Sequence, residues 1–390
     1  MPSGVHWFVM TLSLYIHYPF CLRKCRYCAF NSVSDAPCSP DEYLAGLLAE
    51  MVQRSEMPEK GSAAGTLYFG GGTPSLLEPA QVARLIEAAA KYYALAADAE
   101  ITLECNPGTV AGGKLAALRA AGVNRLSLGV QSFDDEILDV LGRVHSAGEA
   151  VGAFRAAREA GFDNIGIDLI HSLPGQSIAQ WQRELSQACE LNPEHLSIYG
   201  LSIEEGTPFA LLEEKGELLL PDEEEAACMY ELSAEVLAAH GYEQYEIANF
   251  ARPGFRSRHN SGYWLRRAYL GFGAGAHSFL RRPEAGLRFS NTEKVEDYLA
   301  LVGCGCFPTC ESRNLSRKEA MAECLFLGLR LTEGVSLERF REEFAQSFQE
   351  AYGVACADLF AGGLLEIRDG FVRLTGKARI LSNQVFVRFL

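Results

Sequence analysis

Three cysteines on one short loop, directly after an apolar strand, constrain this chain more than any other feature. In the run from Leu14 to Phe30, LYIHYPFCLRKCRYCAF, Cys21, Cys25 and Cys28 form a C-x3-C-x2-C pattern. No fourth ligand follows nearby, because Cys38 lies ten residues beyond Cys28 and Phe30 stands two positions past it. Closely spaced thiolates on a loop suit an iron-sulfur cluster, and three of them leave one iron open to an exogenous molecule. Structural zinc takes paired C-x2-C knuckles or a Cys/His set, and no second knuckle or H-x3-H partner follows. A disulfide with a spare thiol belongs to an oxidising compartment, which no secretory signal announces.

The remaining nine of the twelve cysteines are scattered along 390 residues, which reads as buried free thiols rather than a disulfide scaffold. A hydrophobic content of 48% is ample for a packed, soluble core of one large domain and a smaller one. The net charge of -15 disfavours nucleic acid and anionic lipid as general partners while leaving room for a local basic site. The opening MPSGVHWFVM has no charged n-region or cleavage site and is too short to span a bilayer. Met10 would also serve as a start, and the expectation is a cytoplasmic protein with no transmembrane segment.

From Thr11 onward, apolar strand-like runs alternate with amphipathic helical stretches, the signature of parallel β/α units. Strands are expected over 12–17, 66–69, 101–105, 125–130, 165–170 and 196–201. Helices are expected over 41–51, 79–93, 113–121, 147–160 and 179–191. The fold class is therefore α/β, with six repeats making a partial (β/α)6 barrel over 11–205, because right-handed crossovers leave few other arrangements. An extension over 206–310 holds a helix from the acidic start at Asp222 to His240, then the aromatic stretch with HNSGYW and GFGAGAHSF. Over 311–390, helices at 316–331 and 337–352 precede a hairpin turning at Asp369-Gly370, a winged-helix-like arrangement. From Ser316 to the end it carries ten basic and ten acidic residues, so the footprint of a DNA reader is missing.

The chemistry-bearing residues fall at strand ends, where a barrel exposes its active face. Gly70-Gly71-Gly72-Thr73-Pro74 follows the second strand, and its glycines permit positive φ and close approach of a ligand, or simply a tight turn. Glu104 ends the third strand within LECNP. Gln131 and Ser132 end the fourth, Arg143 follows in LGRVHS, and Asp168 sits inside an apolar fifth strand. A carboxylate there is costly unless paired, and a structural Arg143–Asp168 pair is one account of it.

The cysteine loop, preceded by Tyr15 and carrying Tyr27 before its last cysteine, resembles the radical S-adenosylmethionine (SAM) superfamily. The resemblance implies a [4Fe-4S] cluster on Cys21, Cys25 and Cys28, whose open iron chelates SAM through its amino and carboxylate groups. It also implies reductive cleavage of SAM to a 5'-deoxyadenosyl radical and an electron donor to drive it. Gly71, Gly72 and Thr73 resemble the turn that contacts the methionyl part of SAM. Tyr15, the cysteines, GGGTP, Glu104, GVQSF, Arg143 and Asp168 together resemble, in order, oxygen-independent coproporphyrinogen III dehydrogenases. There Gln131, Arg143 and Asp168 would correspond to contacts with a second SAM.

Two features turn the resemblance within that group. The dehydrogenase pattern has a further cysteine where this chain has Phe30. His259-Asn260-Ser261-Gly262-Tyr263-Trp264 looks like the HNxxYW signature of the HemW heme chaperones. That implies heme as a ligand and a heme-accepting protein, a respiratory one among the candidates, as partner. Imidazole is a common axial ligand of heme, which makes His259 the candidate ligand, against the plain reading of a hydrogen-bonded loop histidine. Arg256, Arg258, Arg266 and Arg267 surround the motif and would suit propionates or a solvated loop equally. His277 also draws notice, while Cys304, Cys306 and Cys310 lack an obvious fourth ligand and read as ordinary thiols. The expected function is heme binding and transfer, with oxidative decarboxylation of coproporphyrinogen as the alternative and an RNA-modifying enzyme disfavoured by charge.

Overall fold

The computed structural model describes residues 12–58, 62–281 and 285–389. Met10 and Thr11 lie outside the described residues. The first half alternates strand and helix: β1 Leu12–Tyr18, α1 Pro40–Gln53, β2 Ala64–Gly71, α2 Pro79–Tyr93, β3 Glu100–Cys105, α3 Gly112–Ala120 and β4 Arg125–Gln131. It continues with α4 Asp135–Leu141, α5 Ala147–Glu159, β5 Ile165–His171, α6 Ile178–Leu191 and β6 His195–Gly200. The first six strands pair in parallel and in sequence order. Capping boxes at Ser39, Ser146 and Ser177 start α1, α5 and α6, each serine bonding a Glu or Gln three residues on.

These strands are two-faced. Leu14 and Ile16, Leu67 and Phe69, Leu126 and Leu128, Ile165 and Ile167 are buried in the apolar core with the helices. The alternate residues, Tyr15 and His17, Tyr68, Glu104, Ser127 and Asp168, are polar and bond to one another on the concave side. A period of two thus divides each strand into a helix-facing and a lumen-facing set.

The later chain widens this sheet. After α7 Pro208–Glu214 and α8 Glu223–Ala239 come β7 Glu243–Gln244, β8 Asn249–Ala251, α9 Arg258–Trp264, β9 Tyr269–Phe272, β10 His277–Leu280, β11 Leu287–Asn291, α10 Val295–Gly303 and β12 Thr309–Asn314. β9 pairs in parallel with β1, and β10, β11 and β12 follow antiparallel, so β1 is an interior strand of twelve. The sheet ends at β12 on one side and β7 on the other, which leaves the barrel open. A buried knot at α1 ties the extension down: Glu50 accepts from Arg54, Tyr298, Asn291 and the Gly273 amide.

A second apolar core, built on Leu325, Phe340, Phe344, Phe348, Val372 and Phe389, holds the C-terminal elements. They are α11 Arg317–Gly328, β13 Val335–Ser336, α12 Leu337–Phe344, α13 Phe348–Tyr352, α14 Ala357–Ala361, β14 Leu365–Arg368, β15 Phe371–Leu374 and α15 Ser382–Phe386. The expected hairpin forms, with Asp369 and Gly370 both at positive φ as a two-residue primed turn requires. The single helix expected over 337–352 is instead two. Ala345 turns left-handed at φ 46°, and Ser347 with Glu350 caps a new start.

Arg266 joins the two cores. It is 5% exposed and bonds Glu323, Glu343 and the Ala285 carbonyl, so it is spent on structure rather than on an incoming anion. Arg266→Ala takes one of two cations from the buried Glu323, leaving Arg288, and urea unfolding is expected to show a loss of about 2 kcal/mol. Arg256→Ala removes an exposed pair with Glu243 and should cost under about 1 kcal/mol in the same assay.

Candidate functional site

The site grows from one close backbone contact. The Gly70 to Gly72 turn passes so near the chain leaving β1 that no side chain fits: a Cβ on Gly71 would lie 2.8 Å from His17 Cε1, and one on Gly72 would lie 2.7 Å from the Pro19 carbonyl oxygen. Gly71 is also at φ +116°. The Gly72 amide donates to Tyr18 O and the Thr73 amide to Phe20 O, which pins the chain just before Cys21.

The cysteine loop then leaves the sheet. Cys21, Cys25 and Cys28 are free and partly exposed. Thr73 Oγ1 donates to Cys21 Sγ at 3.4 Å, and Arg143 Nη1 donates to Cys25 Sγ at 3.3 Å. Burial pushes the Cys28 thiol up, against a pull from the Phe30 amide. A hydroxyl and a guanidinium donating to sulfur suit thiolates in negatively charged coordination, and cluster assembly would release the protons. Among the described residues no three His, Cys, Asp or Glu side chains are gathered to hold a single metal ion. Mononuclear zinc needs such a gathering, whereas a four-iron cluster asks for one thiolate per iron.

Beside the loop lies a cavity of about 400 Å³, within the range of small-molecule sites. Tyr15, His17, Gly71 and Glu104 line it from the barrel, Phe30 and Asn31 from the cysteine loop, and Tyr263, Tyr269, His277 and Glu293 from the extension. His17 Nε2 donates to Asn31 O at 2.8 Å, which leaves Nδ1 to accept from Tyr15 Oη at 3.0 Å. Glu104 accepts from Tyr68 Oη at 2.7 Å and from the Gly71 amide at 3.2 Å. Burial raises its pKa to about 7, with those two bonds opposing.

Of the residues singled out in the sequence, Tyr15, Gly71 and Glu104 meet at this cavity, while Thr73 faces Cys21. Gln131 on β4, Arg143 just after α4 and Asp168 on β5 form another group around Gly129. Gln131 takes φ 69° at an irregularity between β4 and β5, and Arg143 Nη2 donates to Gly129 O at 2.6 Å. Asp168 accepts from Ser127 Oγ at 3.0 Å, so the Arg143–Asp168 pair that would have explained it is not formed. His259 does not line the cavity but lies behind its wall, its ring centroid 6.4 Å from that of Tyr15. α9 crosses the start of the barrel, its N–H groups at Arg258 and His259 bonding the Glu100 carboxylate at 2.9 Å each. The His259 ring is 1% exposed and stacks on Tyr68 at 4.8 Å, and both nitrogens are bonded, to Thr66 Oγ1 and Tyr263 Oη. Burial and then the Arg125 charge push its pKa down to about 3.

Sequence reasoning passed over His17, Asn31 and Tyr68. The alternation Tyr15, Ile16, His17 placed His17 beside Tyr15 and was the available signal for it. Nothing in the chain announced Asn31.

Gly71→Ala should lower stability by about 2 kcal/mol from backbone strain alone, as read by denaturation. Gly113→Ala, in a helix with open space around it, should be neutral or slightly stabilising. For Glu104 the sign follows from its raised pKa: the folded state holds the proton longer, so stability falls as pH rises from the ordinary carboxylate range to about 7. The difference in unfolding free energy between wild type and Glu104→Gln should therefore change across that window and level off above it.

Residues 15–188 match the radical SAM superfamily model, and 315–381 match the HemN C-terminal domain. A radical SAM domain implies a [4Fe-4S] cluster and SAM, and the three-thiol loop beside a small-molecule cavity fits that pair. The chain is 39% identical over 382 residues to the heme chaperone HemW of Bacillus subtilis, covering 97% of this chain and 99% of the relative. It is 41% identical over 290 residues to the heme chaperone HemW of Escherichia coli, covering 74% of this chain and 75% of that one. Among solved structures it is similar to the coproporphyrinogen III oxidase HemN of Escherichia coli, at 26% identity and a TM-score of 0.83, over 97% of this chain and 90% of that one. With so close a relative along nearly its full length, the chain belongs to the HemW family of the radical SAM superfamily.

Proposed function

We propose that this protein binds heme and passes it to an acceptor protein, on a scaffold that also holds a [4Fe-4S] cluster and SAM. The observation that carries the reading is the end-to-end similarity to relatives named heme chaperones, together with Phe30 where the dehydrogenase pattern has a cysteine. Cys21, Cys25 and Cys28 would hold the cluster. Tyr15, Gly71, Gly72, Thr73 and Glu104 would hold SAM, and Gln131, Arg143 and Asp168 would reach its distal part or a second SAM. When bound, the cluster and SAM supply one-electron chemistry, which calls for an electron donor.

The chain's own groups have definite parts in this reading. Glu104, fixed by Tyr68 and Gly71, presents carboxylate oxygens to an amino group in the cavity. Arg143 offsets the negative charge of the thiolates through Cys25. His259 would ligate heme iron only in a form in which α9 has left the barrel floor, since each ring nitrogen already has a partner. The reading treats 11–205 as the cofactor barrel, 206–310 as the extension bearing the heme motif and 311–390 as an appendage. Among the described residues no helix is long and apolar enough to cross a membrane.

The second reading, oxidative decarboxylation of coproporphyrinogen III, draws on the likeness to HemN. Anaerobically reconstituted protein, given SAM, a reductant and coproporphyrinogen, is expected to form no protoporphyrinogen over many turnovers while binding hemin stoichiometrically. Sustained formation of the vinyl product would overturn the chaperone reading.

A further inference from the structure

We propose that His277, on the rim of the cavity beside the cysteine loop, is the imidazole that takes heme iron while α9 closes the barrel. The inference rests on the heme-carrying reading above and names a residue for it. Seven histidines lie among the described residues, and five of them, His17, His145, His171, His195 and His259, are buried at 7% exposure or less. A buried imidazole must have its packing opened before it can meet a porphyrin's iron, and His17, His145 and His259 would also have to break bonds at both nitrogens. His240 is exposed, but it stands at the end of α8, away from the cavity, with Nδ1 bonded to Val236 O at 2.8 Å. His277 is exposed, begins β10, and lines the cavity.

Its surroundings suit a flat apolar ring with acidic edges. Phe30, 68% exposed, lines the same cavity and offers aromatic surface to a ligand there. Tyr263 and Tyr269 add aromatic wall on the His277 side. The Lys24 ammonium lies 3.2 Å from Phe30 O, next to that ring and able to meet a propionate. A cavity of about 400 Å³ suits a molecule of SAM's size, so a porphyrin would lie at its mouth, in reach of His277 and Phe30, rather than inside. The step is ligation alone: a ring nitrogen gives its lone pair to ferric iron, one Fe–N bond forms, and the other nitrogen keeps its proton.

The test is hemin titration of the full chain, anaerobically reconstituted, followed by Soret absorption and electron paramagnetic resonance. His277→Ala is expected to weaken hemin binding about 10- to 100-fold and to lose the imidazole signature, with cluster absorption and melting unchanged. Free imidazole should restore the signature. His259→Asn, which keeps a hydrogen-bonding side chain in the floor, is expected to retain it. An unchanged signature and affinity in His277→Ala would overturn the assignment to this residue. Failure of the wild type to bind hemin would overturn the heme reading itself, so the two failures are distinguishable.

Discussion

The contact on which the site depends is backbone against backbone. Where β2 ends, three successive glycines let the chain slide under the exit from β1, and the Tyr18 and Phe20 carbonyls accept the amides of Gly72 and Thr73. Any Cβ on Gly71 or Gly72 would push the two segments apart. From this contact the rest is positioned at short range: the Gly71 amide holds Glu104, the Thr73 hydroxyl meets Cys21, and the loop carrying all three cysteines leaves at a fixed angle. A cluster loop has few internal bonds of its own, so its geometry is set by where it is anchored.

A polar lumen inside an apolar shell is the second condition. Each parallel strand gives its leucines and isoleucines to the helices and its polar residues to the concave side, where Tyr68, Glu104, Ser127 and Asp168 satisfy one another. Low-dielectric surroundings strengthen such bonds and penalise isolated charge. Glu104 is accordingly shifted toward neutrality and His259 is held neutral. Arg125, fully buried, has Nε and Nη1 without hydrogen-bond partners among the described residues, and the nearby Glu100 carboxylate favours its charged form. The lumen is set up to answer a charged ligand rather than to pack against an apolar one.

The extension decides which side of the barrel is open. By pairing β9 with β1 it supplies the outer cavity wall, and by laying α9 across the barrel start it closes the floor. His259 is thereby turned inward, while His277 and Phe30 both line the cavity. Arg266, which the sequence offers as a cation for an incoming carboxylate, is consumed in joining the extension to the C-terminal core.

Much of this was legible in the chain itself. The spacing of Cys21, Cys25 and Cys28, the glycine turn and the alternating strand and helix patterns are local, and local steric and periodicity rules suffice to read them; the six strands and the Asp369-Gly370 hairpin lie where those rules put them. The same rules carry a helix through Ala345 because they weigh propensity over the cap that Ser347 and Glu350 form. What residues far apart do to one another was not legible. The sequence could not say that Asp168 answers Ser127 rather than Arg143, that Glu100 would seize the start of α9, or that His259 would spend both nitrogens inside the barrel. Hydrogen bonds between separate strands and helices depend on strand order and register, and a side chain's availability is fixed only once its neighbours have closed around it.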